Sequence, residues 1–462
     1  MDLTTEAKNR NDVSDCHADR PDGRSIGCDA SGLPDCPSST EPQDKPVVVV
    51  LIGYYLPAFK AGGPLRSVES LVKALGSEFC FKIVTRDRDL REKLPFPGIV
   101  ANRWVRVGDA DVMYLRPGLR GLLSLWALLR SLDRRTILYL KSFCSRPFSI
   151  LPVVMYRLGL CRPQCVVLAP GGEFSAGALQ LKRLRKFLYI RMTRWLGLYY
   201  RLIWHASSDL EVADIRRQFP RVRHIDVAHA ITNLNVTHST MRRRAGVITA
   251  PDIAGVAPQE QPEMRPKKPG QLRAVFVSRV ARMKNLAGAL RMLEGVSGDV
   301  SYDIYGPAED AAYWAECQGL IAALPANIRV KYWGPIEHEQ VARVFAEHDL
   351  FLLPTLGENY GHVICEALAA GCPVLISDQT PWRNLEAEGV GWALPLGETE
   401  RFRSVLQQCV DAGTEWYAVL SARAMRYGVK HATDPETIAA NRRLFQQAFA
   451  WPSSSHSNRS TG

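Results

Sequence analysis

The segment richest in chemical groups reads Leu356-Gly357-Glu358-Asn359-Tyr360-Gly361-His362-Val363-Ile364-Cys365-Glu366, between an apolar stretch and a Gly371-Cys372-Pro373 stop. A helix beginning near Gly361 puts His362 and Glu366, four residues apart, on one face, with Glu358 in the loop just before it. Two carboxylates then converge near a helix N-terminus. A carboxylate accepts paired hydrogen bonds from vicinal hydroxyls, and the free N–H groups of a helix N-terminus suit a phosphate, so the pattern fits a sugar nucleotide. Gly357 and Gly361 let the backbone come close to such a ligand. The plainer reading is of solvated carboxylates, with His362 an ordinary first-turn residue.

A second cluster, Ser278-Arg279-Val280-Ala281-Arg282-Met283-Lys284-Asn285, follows an apolar strand directly. Arg279 and Lys284 sit where a strand ends and a helix starts, the place for neutralising a diphosphate and stabilising charge on a departing one. Nearer the N-terminus, Gly62-Gly63-Pro64 opens a proline-started helix whose N–H groups can face an anion. It is neither a G-x-G-x-x-G fingerprint nor a Walker loop, which removes the main support for a nicotinamide dehydrogenase or a P-loop ATPase. Taken singly, these two segments also read as a basic turn and a tight turn.

Short apolar strands alternating with helix-length segments must position these groups. The clearest strands are 47–51, 81–85, 137–140, 166–168 and 202–204, then 274–278, 302–305, 330–333, 350–354 and 374–377. Such alternation implies parallel sheets covered on both faces. The pattern lapses between 232 and 270 into proline- and arginine-rich sequence, read as a linker. The expected fold is therefore α/β, two Rossmann-like doubly wound domains facing across a cleft, with ligands at the carboxyl ends of the strands. The expected division is a disordered tail 1–45, a first domain 46–231 on the acceptor side, the linker 232–270, a second domain 271–430, a last helix within 431–450 and a disordered tail 451–462.

Length and composition agree with two cores: 462 residues, 46% hydrophobic and 23% charged. A formal charge of +11 attracts anions without choosing among phosphates, nucleotides and acidic lipids. Eleven cysteines fall irregularly, several in apolar runs, and read as small buried hydrophobes in a reducing compartment. Cys161 and Cys165 are the nearest approach to a metal pair, and no second pair lies at ligand spacing, which argues against zinc. The N-terminus lacks the basic start and apolar run of a signal peptide, and no apolar run nears the roughly 20 residues of a bilayer span, so a cytoplasmic place is expected. Between Ala176 and His205 lie Lys182, Arg183, Arg185, Lys186, Arg191, Arg194 and Arg201, with no acidic residue and with Leu181, Leu184, Phe187, Leu188, Ile190, Trp195 and Leu198 interleaved. The region 181–201 is thus a candidate for docking peripherally on anionic lipid, against the plainer reading of a helix whose apolar face is core. No nucleic-acid motif accompanies the charge.

Together these segments resemble the retaining glycosyltransferases of family 4, which have the GT-B fold. The resemblance spans roughly residues 47–449 and rests on the Glu358/Glu366 pair, the string Gly-Glu-Asn-Tyr-Gly-His and the segment from Arg279. It implies that Glu366 binds the nucleotide ribose, that Glu358 binds the donor sugar, and that Arg279 and Lys284 hold the diphosphate. Asn359, Tyr360, Gly361 and His362 would line the donor with them, Gly62 and Gly63 would face the phosphate and sugar, and the backbone at Gly334 to Ile336 would lie near the base. It further implies that the last helix, about 435–449, crosses back onto the first domain. One departure stands out: where many relatives carry His-Gly or Arg-Gly, this chain reads Ala169-Pro170-Gly171-Gly172-Glu173-Phe174. Glu173 or His205 is the expected partial substitute on the acceptor side, although His205 also reads as a packed strand-end residue.

The implied activity is transfer of a sugar from a nucleotide donor to a hydroxyl acceptor with the anomeric configuration retained, the acceptor being lipid-linked or a growing cell-surface polysaccharide. It requires no cofactor, since the nucleotide sugar is a substrate, and no metal, since two fixed cations serve the diphosphate. A sugar-nucleotide 2-epimerase and a non-catalytic nucleotide-sugar-binding relative are the alternatives.

Overall fold

Valine-rich runs such as Val47-Val48-Val49-Val50-Leu51 have no polar face, so a sheet built from them must be covered on both sides. The computed structural model, which describes residues 45–180, 183–224, 245–255 and 266–451, contains two such sheets in one compact unit. The first comprises β1 (Val47–Leu51), β2 (Cys80–Arg86), β3 (Trp104–Val107), β4 (Ala110–Leu115), β5 (Thr136–Leu140), β6 (Cys165–Leu168), β7 (Ile203–Ala206), β8 (Arg223–His224) and β9 (Gly246–Thr249). Their order is β3-β4-β2-β1-β5-β6-β7-β9-β8, parallel except at β3–β4. The second comprises β10 (Gln271–Val277), β11 (Asp299–Tyr305), β12 (Ile328–Gly334), β13 (Leu350–Leu353), β14 (Val374–Ser377) and β15 (Gly391–Leu394) in the order β12-β11-β10-β13-β14-β15, all parallel.

In each sheet the strand order reverses beside the first strand, which pairs with the second strand on one side and with a later one on the other: β1 between β2 and β5, β10 between β11 and β13. A crevice opens at such a reversal because the connections leave toward opposite faces of the sheet. The loops after β1 and β5, and those after β10 and β13, are therefore set side by side. These carry Gly62-Gly63, Lys141, Arg279 and Glu358, respectively.

One apolar cluster fills the second domain, and two clusters cover the two faces of the first sheet. The helix Pro435–Ala450 completes one of the latter, burying Leu444, Phe445 and Ala448. The Phe445 ring meets Phe79, Phe81 and Tyr139 at centroid distances of 5.5, 6.0 and 5.6 Å. Arg442 pairs with Glu78 at 2.7 Å, and Asn441 donates to the Pro251 carbonyl at 2.7 Å.

The expected linker 232–270 needs correction. Gly246–Thr249 is a buried strand that pairs with β7, and Ala250 to Ala254 continues into the core. A four-residue run is too short to show a period in sequence, but the open edge beside β7 supplies the hydrogen bonds that make it a strand. Of the rest of it, 232–244 and 256–265 lie outside the described residues, as do 225–231 and the tails 1–44 and 452–462. Strands β3, β4, β8 and β15 also went unseen in the sequence. Among the described residues, no helix is long and apolar enough to cross a membrane.

Candidate functional site

The helix His362–Ala369 starts where Gly361, at φ 81°, turns the chain out of β13's loop, and helix Thr414–Ala432 holds it in place. The two approach so closely that a Cβ on Gly428 would lie 2.2 Å from the Ala369 nitrogen, which only glycine allows. This helix presents His362 and Glu366 to a cavity of about 460 Å³ between the domains. Glu358, Asn359, Tyr360, Gly361, Arg279, Lys284, Ile336, Gly62, Gly63, Gly171 and Glu173 line the same cavity. Sequence positions as distant as Gly62 and Glu366 are thus brought to one place.

On the second-domain side, each cation has a carboxylate partner. Lys284 donates to Glu358, and Arg279 donates to both oxygens of Glu309, at 3.0 and 3.2 Å. Among the described residues Glu366 has no such close partner: burial pushes its carboxyl up to about 7, against the pull of Arg66, and His338 Nδ1 stands 3.9 Å away. A buried carboxyl facing a cavity invites hydroxyl donors, because accepting their hydrogen bonds restores part of what it lost from water. His362 shares a 2.9 Å hydrogen bond with Ser67 Oγ across the cleft, and burial, only partly offset by Asp252, takes its imidazole down to about 4. It is therefore neutral near pH 7 and a hydrogen-bonding group rather than a charge.

The first-domain side sets glycine-rich backbone beside a few polar side chains. Gly62, at φ 69°, caps the helix Gly63–Leu75 with its carbonyl, which accepts from Leu65 N and Arg66 N, and Asp89 anchors the preceding loop by accepting from Phe59 N and Lys60 N. Gly172, at φ 78°, packs against Asn359, and its N–H donates to Glu211 at 2.8 Å. Ser207 Oγ donates to the Asn359 carbonyl at 3.4 Å, so the domains touch at this corner.

Two expectations fail and a third narrows. His205 is not in the cavity: it is buried behind the sheet, bonded through Nδ1 to Tyr139 at 2.8 Å and through Nε2 to the Ala250 carbonyl at 2.7 Å. Burial holds it neutral, at about 4, and alternation along β7 turns it into the layer under the last helix. Gly334 does not line the cavity either; its carbonyl accepts from Gly306 N, and the next residues, Pro335 and Ile336, reach the site instead. Glu173 does line it, but its carboxylate is taken up by Ser142 Oγ, Phe143 N and Cys144 N at 2.6, 3.3 and 2.8 Å and anchors that loop.

Other residues of the site escaped the sequence: Lys141, Asp252, Ser67, Arg66, Glu309 and His338 all border the cavity. Lys141 was within reach, as it follows the apolar run 137–140 at a strand's carboxyl end. Asp252 was hidden in the supposed linker.

Residues 259–413 match the family model described as "Glycosyl transferases group 1". The chain is 27% identical over 150 residues to a phosphatidyl-myo-inositol mannosyltransferase of Mycobacterium leprae (strain TN), covering 31% of this chain and 38% of that one. It is 30% identical over 166 residues to the amylovoran biosynthesis glycosyltransferase AmsK of Erwinia amylovora, covering 33% and 40%. The matched region thus spans about two fifths of the length of these curated relatives. In structure, it is similar to HepE of Anabaena in complex with UDP and glucose, with a TM-score of 0.58 at 14% identity over 87% of this chain and 99% of that one, which bears on the fold. The two doubly wound domains are those of the GT-B fold, and residues 259–413, about a third of the chain, are similar to the glycosyl transferases group 1.

Proposed function

We propose that the protein transfers a sugar from a nucleotide donor to a hydroxyl acceptor, retaining the anomeric configuration. One observation carries this: two cations and two carboxylates from adjacent strand ends, β10 and β13, share a single cavity with a glycine-lined wall of the opposite domain. In this reading Glu366 accepts from the ribose hydroxyls, and the diphosphate lies against Arg279 and Lys284. The Lys284–Glu358 contact is exchanged as the donor enters, the ammonium turning to phosphate and the carboxylate to sugar hydroxyls. Charge that builds on the departing diphosphate is met by preorganised cations. The leaving phosphate then takes the acceptor's proton on the same face, so the reaction uses no dedicated protein base, cofactor or metal. Gly357, Asn359, Tyr360 and Ile336 shape the remaining donor wall.

The test is a thermal-shift screen of UDP-, GDP-, ADP- and dTDP-sugars, because a ligand that binds the folded chain stabilises it by mass action. One base is expected to raise Tm above the rest, with sugar transfer to a hydroxyl acceptor following. Stabilisation by none would sink the proposal. Epimerised nucleotide sugar formed without an acceptor would favour a 2-epimerase, and binding without turnover a non-catalytic relative.

For the acceptor, the proposal is a lipid-linked or saccharide hydroxyl presented at the cytoplasmic face of a membrane. Helix Arg183–Trp195 buries only Ile190 and Thr193 fully; Leu184, Phe187 and Trp195 are 70%, 57% and 85% exposed, flanked by exposed Arg183, Arg185, Arg191 and Arg194. Apolar side chains in water with guanidinium groups beside them fit an anionic bilayer surface. Lys186 is not part of this face: it donates to the Ala178 carbonyl at 2.6 Å and lines the cavity. Lys182 and Leu181 lie outside the described residues. Changing the four arginines to serine is expected to lower partitioning onto vesicles containing anionic phosphatidylglycerol by more than tenfold at an unchanged Tm, at about 1 kcal/mol per basic residue. Equal partitioning of variant and parent would count against the surface.

A further inference from the structure

Lys141 and Asp252 form a buried ion pair that opens onto the cavity from the first domain. Lys141 directly follows β5, and Asp252 comes shortly after β9. Their side chains are 4% and 6% exposed, Lys141 Nζ donates to Asp252 Oδ1 at 3.0 Å, and both line the cavity. Burial works against either charge, yet each stabilises the other: the ammonium is held above its ordinary range, and the carboxyl is held down at about 2.

The neighbouring strand end offers no side chain. Leu140 is in register with Leu168, so Lys141 stands beside Ala169, and the chain beyond it runs into Gly171 and Gly172, both left-handed, at φ 62° and 78°. A Cβ on Gly171 would meet nothing within 4 Å, so the space in front of it is open, whereas Gly172 packs against Asn359. Across the opening, His362 Nε2 lies 3.9 Å from Asp252 Oδ2, too far for a hydrogen bond. The ammonium also donates to the Tyr139 hydroxyl, so one ammonium hydrogen and the second carboxylate oxygen are left for the cavity, side by side.

We propose that the Lys141–Asp252 pair is the element of the first domain that recognises the transferred sugar, the ammonium donating to one ring hydroxyl and the carboxylate accepting from its neighbour. The pair is neutral overall, so it suits hydroxyls better than phosphate, whose charge Arg279 and Lys284 already face. A buried ion pair is costly to form against water and repays that cost only when its remaining valences are satisfied, which a bound hexose does. The residues act on specificity and positioning rather than on bond breaking, and the assignment rests on the nucleotide-sugar reading above.

The test uses the full chain with Lys141→Gln and Asp252→Asn combined, since the two amides preserve shape and bond to each other while removing both charges. Affinities are measured for the nucleoside diphosphate chosen by the screen and for its glucose, galactose and mannose forms. The expected result is diphosphate affinity within twofold of the parent and a loss of about 10- to 100-fold for the preferred hexose form. Unchanged hexose affinity, or an equal loss for diphosphate and hexose forms, overturns the assignment. Should the double variant not fold, Lys141→Arg keeps the charge but misplaces the donor hydrogens: a fall in hexose affinity alone supports the proposal, and unchanged affinity overturns it. Failure of the parent chain to bind any nucleotide is a different outcome, which removes the donor reading itself.

Discussion

Replacing Lys284 by alanine is expected to lower kcat/KM for transfer by about 100- to 1,000-fold, the range seen when one preorganised donor is taken from a developing negative charge. The size of the effect follows from where the charge sits. Lys284 lies at the end of the turn Arg282–Lys284, 12% exposed and fixed against Glu358. Asn285, at φ 55°, caps the next helix with its side chain and donates to the Pro354 carbonyl, so the ammonium is tied to both strand ends at once. Alanine leaves Glu358 without its partner in a partly buried site, so some loss of Tm accompanies the change. The variant Lys284→Ala/Glu358→Gln removes that unpaired charge; it is expected to regain Tm without regaining turnover. Parent-like turnover in Lys284→Ala would remove the cation from the mechanism.

Glu366→Ala is expected to weaken nucleotide binding by about 10- to 100-fold, as for hydrogen bonds to a charged group. The parent carries a further signature. Its Glu366 carboxyl is raised to about 7 by burial, despite Arg66, so it gains a proton over the range in which most carboxylates are ionised. If the ribose hydroxyls donate to the carboxylate, affinity rises about tenfold between pH 6 and pH 8 as that proton leaves. The unliganded fold behaves oppositely. A carboxyl whose pKa is higher folded than unfolded contributes stability at low pH that is lost as pH climbs from about 4.5 to about 7. Glu366→Gln should flatten both profiles, and titration calorimetry with the screened nucleotide reads the first. A pH profile identical in parent and Glu366→Gln would show that this carboxyl does not bind the ligand.

What could be read from the sequence divides along a physical line. The strands 274–278 and 350–354 are mostly apolar, Arg279, Lys284 and Glu358 follow them within a few residues, and Glu366 lies on the helix that comes next, so local pattern sufficed. The second-domain half of the site meets in the cavity for that reason. His205 misled because a histidine at a strand end can point to either layer of a sheet, and only the partners Tyr139 and Ala250 decide which. Asp252 could not be seen, because the strand that delivers it is four residues long and exists only beside the edge of β7. Arg66 and Ser67 on the first helix were passed over because their role depends on the approach of His362, 295 positions away from Ser67, and no local pattern encodes that distance.

The helix Pro435–Ala450 bears on how the two domains can be recombined. It is last in the chain and follows the second domain, yet Phe445 sits among Phe79, Phe81 and Tyr139 of the first. A chimera that exchanged everything after residue 271 for a donor domain of different specificity would replace this helix too, and the host's first sheet would receive a lid shaped for another surface. The exchangeable module is instead the interior stretch from Gln271 to Ala432, with one seam before β10 and the other at Thr433. The second domain can be traded as a cassette, whereas the first travels as two pieces that must be inherited together.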